Sequence, residues 1–179
     1  MATKFDIVEA RLWHTGQMAR LLRFEHHRAL TVIGADAHRE LRLGFEDSSY
    51  CRSWLIDGRL AAIGGVRATA LSPLGYVWLA LTDEACRHPI ALVKEGRRQI
   101  AHIMRVKREL ATTLIEGDDA ARRFAVFMGF HVAHDGVGDA AVSRAGRRML
   151  LESMNTYSER RVRVGKGYAV AVGYHEETA

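Results

Sequence analysis

A chain of 179 residues with 48% hydrophobic and 26% charged residues has the size and mix of one folded globular domain, long enough to bury about 70% of the surface its unfolded chain would expose. Its 26 basic residues outweigh 21 acidic ones, giving a net charge of +5, which permits an anionic partner such as coenzyme A or nucleic acid without demanding one. Two cysteines, Cys51 and Cys86, with no CxxC pair between them, exclude a disulfide scaffold and a cysteine-rich metal site, and both are expected reduced and buried.

Phe5 to Leu12 alternates imperfectly and reads as a first strand. Thr15 is placed to cap a helix that carries Met18, Leu21 and Leu22 on one face and stops before Gly34. A second helix is expected over Ala35 to Phe45, with Leu41 and Phe45 one turn apart. Cys51 to Ile56 reads as a strand. Asp57-Gly58 then signals a hairpin, because a type I′ turn needs positive φ at both central residues. The returning strand runs Arg59 to Thr69, and Gly64-Gly65 within it marks a bulge or a close backbone approach.

After the loop Ser72-Pro73-Leu74-Gly75 comes an apolar strand, Tyr76 to Thr82. A long basic helix is expected over Arg87 to Arg108, with Pro89 in its first turn, where a missing N–H costs nothing. Six basic residues, Lys94, Arg97, Arg98, Arg105, Lys107 and Arg108, face only Glu95. They form either a solvated face or an attraction for phosphate-bearing partners, and no aromatic interleaving points to base stacking. Thr112 to Glu116 is the next strand. Asp118 caps a helix that reaches Met128, and Gly129 ends it. Phe130 to His134 is a sixth strand.

Asp139 to Met149 is compatible with a helix, but a last core strand near Arg147–Ser153 is preferred. The apolar run Tyr168 to Val172, between Gly167 and Gly173, would add an edge strand or contact another chain. The N-terminus carries no apolar signal region, and no run approaches the ~18 apolar residues of a membrane span. Synthesis in the cytoplasm is expected, with later packaging into a particle still open. There is no Walker loop, GxSxG elbow, HExxH or dinucleotide fingerprint. The histidines His26, His27 and His38 show no ligand spacing, so no metal is expected.

The order strand, strand, helix, strand, helix, Gly-Phe from Ala61 to Phe130 resembles the GNAT acetyltransferase core. The stretch Val77-Trp78-Leu79-Ala80-Leu81-Thr82-Asp83 is similar, more narrowly, to GNAT-like proteins of phages and prophages, the internal virion protein A type. So are Ala62-Ile63-Gly64-Gly65 and Arg123-Phe124 ahead of Met128-Gly129-Phe130. The likeness covers about Leu55 to Asp135. It implies an α/β (α+β) GNAT-like acyl-CoA N-acyltransferase fold, with a central mixed, mostly antiparallel sheet flanked by helices. Residues 1–154 would form that domain, and 155–179 a C-terminal extension serving as an edge strand or interaction tail.

The resemblance also implies a site. A working GNAT holds acetyl-CoA in a splayed opening between its fourth and fifth strands, with the pyrophosphate on a glycine-rich loop at the start of the next helix. Here that segment, Thr82 to Ile90, has no glycine and includes Pro89. If acetyl-CoA binds, Leu81, Thr82, Arg87, His88 and Asp118 would hold it. The general-acid tyrosine of many GNATs lies four residues before the Gly-Phe glycine, where this chain has Ala125. Asp83, Glu84 and Glu116, near the ends of the two core strands, are the candidates for a base. Two readings follow. In the first, the chain is a virion-associated protein with a degenerate acetyl-CoA site, whose partners are other virion proteins or itself. In the second, it is an active N-acetyltransferase moving acetyl from acetyl-CoA to an amine. A basic nucleic-acid-binding module is a third, lesser alternative.

Overall fold

Asp57 and Gly58 both take positive φ, +48° and +77°, the type I′ geometry whose twist suits two antiparallel strands. The turn joins β2 (Ser48–Ile56) to β3 (Arg59–Arg67). Against this hairpin β1 (Phe5–Glu9) pairs with β2, with Phe5 opposite Ile56. On the other side β4 (Leu74–Leu81) pairs with β3, with Trp78 opposite Gly65. Next comes β5 (Glu109–Ile115), parallel to β4. β6 (His131–Val132) and β7 (Ala169–His175) complete a seven-stranded sheet in the order β1-β2-β3-β4-β5-β7-β6. The β4–β5 pair is its parallel step, and the other pairings are antiparallel. The computed structural model describes residues 3–32, 34–68, 71–115, 118–132 and 169–175.

Three helices, α1 (Leu12–Leu21), α2 (Phe24–Val32) and α3 (Ala37–Glu46), connect β1 to β2. The short α4 (Asp83–Cys86) and α5 (Pro89–Ile103) connect β4 to β5, and α6 (Asp119–Phe127) follows β5. Their ends follow local chemistry. The Asp36 carboxylate accepts from the Arg39 N–H at 2.8 Å and starts α3. Asp118 does the same for α6, accepting from the Ala121 N–H at 2.9 Å. Gly129, at φ +93°, ends that helix in the left-handed conformation.

The helices cover both faces of the sheet. Met18 and Ala19 of α1 and Ala37 and Leu41 of α3 pack on Leu60, Ile63 and Ala80. On the opposite face Ile103, Ala125 and Met128 meet Val66 and Leu110, and Leu92 meets Ile56, Ala61 and Leu81. Gly64-Gly65 is a close approach. A Cβ on Gly65 would lie 2.7 Å from both Ser48 Oγ and the Tyr50 carbonyl oxygen, and one on Gly64 would lie 2.9 Å from the Trp78 carbonyl oxygen. The indole Nε1–H of Trp78 donates to Ser48 Oγ at 2.9 Å over the same spot. The irregularities of the β2–β3 ladder fall elsewhere, between Ser48 and Tyr50 and between Trp54 and Leu55.

Several expectations are corrected. Thr15 is not a cap: α1 begins at Leu12, the His14 ring accepts from the Arg11 N–H at 3.0 Å, and the Thr15 hydroxyl donates to the Leu12 carbonyl. The single helix expected up to Gly34 is two, because Leu22 turns extended (φ −53°, ψ 133°) and its neighbour bonds to β4. The basic helix expected over Arg87–Arg108 forms but is shorter: α5 runs Pro89–Ile103 with Pro89 in its first turn, so Arg105, Lys107 and Arg108 lie beyond its end, and a separate short helix, α4, precedes it. Two of the expected helix's basic residues serve the fold, Arg97 donating to the Phe127 carbonyl and Lys107 to the Ser72 carbonyl.

Of the run expected as an edge strand or a contact with another chain, Ala169–Val172 falls in β7, which is interior, between β5 and β6, and Tyr168 lies outside the described residues. The strand expected at Arg147–Ser153 and the alternative helix Asp139–Met149 lie outside the described residues. Both cysteines are free, but Cys86 is exposed, not buried. Burial pushes the Cys51 thiol up to about 12. Among the described residues no helix is long and apolar enough to cross a membrane.

Candidate active site

The parallel strands β4 and β5 pair over three positions, Leu74–Glu109, Gly75–Leu110 and Tyr76–Ala111. Beyond them the strands part. β4 stays paired to β3 through Leu81, and β5 to β7 through Ile115. The facing edges of Val77–Leu81 and Thr112–Ile115 are not joined to each other. The divergence makes a wedge whose walls are backbone edges with N–H and C=O groups to satisfy.

At the mouth of the wedge Thr82 is buried and fully engaged. Its N–H and hydroxyl both donate to the Ala61 carbonyl, at 2.9 and 3.1 Å, and the hydroxyl accepts from the Ala85 N–H at 3.3 Å to start α4. Because the Thr82 N–H points toward β3, the Leu81 carbonyl of the same trans peptide points away from β3, into the wedge. That carbonyl accepts from the Arg23 N–H at 3.0 Å, and Leu22 forms an antiparallel bridge with Thr82. The α1–α2 linker therefore lies on the open edge of β4.

The side chain of Arg23 continues across the mouth. Its guanidinium forms a buried ion pair with Asp118 Oδ2 while Asp118 Oδ1 caps α6. Arg23 Nε makes no hydrogen bond, and the Glu25 carboxylate is 3.8 Å from it. The Cys86 thiol lies against the same guanidinium. His26 sits by this group, and burial, with Arg23 adding to it, lowers its pKa to about 4, so its imidazole is neutral at pH 7.

Of the residues singled out in the sequence, Leu81, Thr82 and Asp118 come together at this mouth. Arg87 and His88 belong to a surface cluster held by Glu84, whose carboxylate pairs with Arg87 at 2.9 Å and His88 at 3.3 Å. The His88 ring also meets Phe5 edge-on, with centroids 5.4 Å apart. Asp83 is exposed in the first turn of α4. Glu116 lies outside the described residues. Ala125, at the general-acid position, is a buried methyl packed in the core. Tyr50 donates its hydroxyl to Gln99 at 2.6 Å. Among the described residues no group of three or more His, Cys, Asp or Glu is placed to hold a metal ion.

Sequence reasoning missed Arg23 and His14. Arg23 carried no motif. The His14 Nδ1 accepts from both the Arg11 N–H and the Ser53 hydroxyl, the latter at 2.9 Å, which requires a neutral ring. Burial, followed by Arg11, keeps its pKa below the usual value. The contact pins α1 to β2 in a fully buried place and is structural.

The residues present do not fit acetyl-CoA as they stand. The Leu81 carbonyl on the open edge of β4 is already bonded. A diphosphate needs donors and positive charge, yet the helix start after β4 is capped by Thr82, acidic at Asp83 and Glu84, and followed by Pro89. The Arg23–Asp118 pair is neutral as a unit, so the buried cation at the mouth is not free to meet a phosphate.

No protein-family model and no curated protein matches the sequence. Solved structures do match in shape. A GNAT-family acetyltransferase from Bacillus anthracis aligns with a TM-score of 0.64 at 5% identity, over 97% of this chain and 96% of that one. The ribosomal L7/L12 alpha-N-protein acetyltransferase RimL, solved in complex with coenzyme A, aligns at 0.63 and 10% identity, over 99% and 97%. The ribosomal-protein-S18-alanine N-acetyltransferase from Escherichia coli aligns at 0.61 and 10%, over 98% and 96%. At such identities the likeness is one of fold. With its parallel strands parting after three pairs and helices on both sheet faces, this chain has the GNAT acetyltransferase fold.

Proposed function

We propose that this protein uses the GNAT fold for binding rather than for acetyl transfer, as a virion-associated protein of a phage or prophage. One observation carries the reading: the polar side chains that the resemblance assigns to the cofactor, those of Thr82, Arg87, His88 and Asp118, each already have partners within the chain. The buried methyl of Ala125 where an acid would stand supports it further. The link to phage particles rests on the resemblance carried by Val77 to Asp83. Other particle proteins, or a second copy of the chain, are the partners this reading requires.

The wedge itself favours a second reading, an N-acetyltransferase that takes acetyl from acetyl-CoA to an amine. β4 and β5 part after Tyr76–Ala111, and the resemblance puts acetyl-CoA in such an opening. Two experiments separate them. Density-banded particles from the source phage or lysogen are analysed by mass spectrometry, and the purified chain is assayed for free-thiol release from acetyl-CoA with a panel of amines. The chain in the particles without thiol release supports the binding protein. Amine-dependent thiol release and no chain in the particles supports the enzyme.

A further inference from the structure

The α1–α2 linker has no need, on local grounds, to leave its helix at Leu22. Helical periodicity continues through Leu21 and Leu22, and α2 resumes at Phe24. What the break achieves is tertiary. The Arg23 N–H reaches the Leu81 carbonyl, Leu22 bridges Thr82, and the Arg23 guanidinium reaches Asp118 beyond the other wall. One residue thus binds the end of β4 through its backbone and the start of α6, after β5, through its side chain. Both partners of the ion pair are more than nine-tenths buried.

We propose that Leu22–Arg23 is the resident occupant of the wedge, and that the Arg23–Asp118 pair is the clasp that keeps acyl-CoA thioesters out of it. The inference rests on reading the wedge as the counterpart of the GNAT thioester slot. The slot is then not merely short of ligands for a cofactor: a segment of the chain itself fills its mouth and occupies the Leu81 carbonyl that faces the opening. Opening it means breaking the Arg23–Leu81 bond and separating two buried charges. An acyl-CoA must compete with both.

Asp118→Asn tests this cleanly at the α6 end, because asparagine caps a helix about as well as aspartate while removing the charge that Arg23 needs. Since that variant strands a buried cation, Arg23→Met with Asp118→Asn is made beside it, which leaves no buried charge. Amide hydrogen exchange reports first on the clasp. Exchange at the Arg23 N–H should rise at least about tenfold in Asp118→Asn, and an unchanged rate overturns the clasp.

Acetyl-CoA is then titrated calorimetrically into all three proteins. Binding at least about tenfold tighter in the double variant than in the unmodified chain is the expected result. Equal, measurable binding by all three overturns the clasp, and the non-catalytic reading falls only if the unmodified chain also releases thiol from acetyl-CoA in an amine-dependent way. No binding by any of them, with faster exchange at Arg23, overturns the clasp as the barrier and leaves the non-catalytic reading standing.

Discussion

Arg23 and Asp118, 95 positions apart in the chain, form a buried ion pair across the place where β4 and β5 have separated. Asp118 uses one carboxylate oxygen for this pair and the other to cap α6. The two roles have different energies, and substitution separates them. Asp118→Asn keeps the cap but leaves Arg23 buried without its counter-charge, and should lower stability by about 3 kcal/mol. Asp118→Ala also loses the cap and should cost a further ~1 kcal/mol. The double variant Arg23→Met with Asp118→Asn should recover most of the loss. Urea denaturation of the four proteins measures all three differences, and equal stability of the Asn and Ala variants would contradict the capping role.

His26 gives stability a pH dependence. Its folded pKa, about 4, is held down mainly by burial and next by Arg23, with Asp118 and Glu25 pulling the other way. The unfolded value is near 6.5. The unfolded chain therefore takes up a proton in a range where the folded one does not, and stability falls as pH drops from about 6.5 to about 4. His14, also shifted down by burial, adds in the same direction. Denaturation midpoints between pH 7 and pH 4 should fall more steeply in the unmodified chain than in His26→Gln. Parallel curves would rule out the His26 contribution.

Gly65→Ala should destabilise by about 1–3 kcal/mol, since the added methyl would lie 2.7 Å from the Tyr50 carbonyl oxygen, which is backbone and cannot step aside. Thermal melting measures it. A melting temperature equal to that of the unmodified chain would mean that β2 and β3 are less tightly apposed than described.

Ala125→Tyr, the substitution that would place a hydroxyl at the general-acid position, should bring no acetyl transfer. Ala125 is 5% exposed and packed with Met128, Phe130 and Leu110, so the ring must force its way into the core at a cost of about 3 kcal/mol or more. A stable variant with amine-dependent thiol release would contradict this.

Arg87→Ala should change little. Its pair with Glu84 is exposed, and such pairs contribute about 0–1 kcal/mol. A large loss of stability would give Arg87 a role beyond that surface pair.

The parts of this fold that were legible in the sequence are those with local causes. Asp57-Gly58 specifies its turn by backbone conformation alone, Asp118 its cap by one side-chain oxygen, and Gly129 its stop by a positive φ. The break at Leu22 was not legible, because it trades a helical bond for one to Leu81, far along the chain. The place of Ala169–His175 was hidden for a related reason. An apolar run between glycines announces a strand, but not which two strands will flank it. The same limit applied at the site. The missing glycine loop and the alanine at position 125 are plain in the sequence, whereas the Arg23 guanidinium at the mouth of the wedge exists only once β4 and β5 have been placed.

The most direct test of the account is the titration of acetyl-CoA into the unmodified chain. A wedge closed by Leu22–Arg23 predicts no detectable binding up to about 1 mM ligand. Binding in the micromolar range, weakened by coenzyme A as competitor, would show the wedge open to the cofactor and return the protein to the acetyltransferases whose fold it shares.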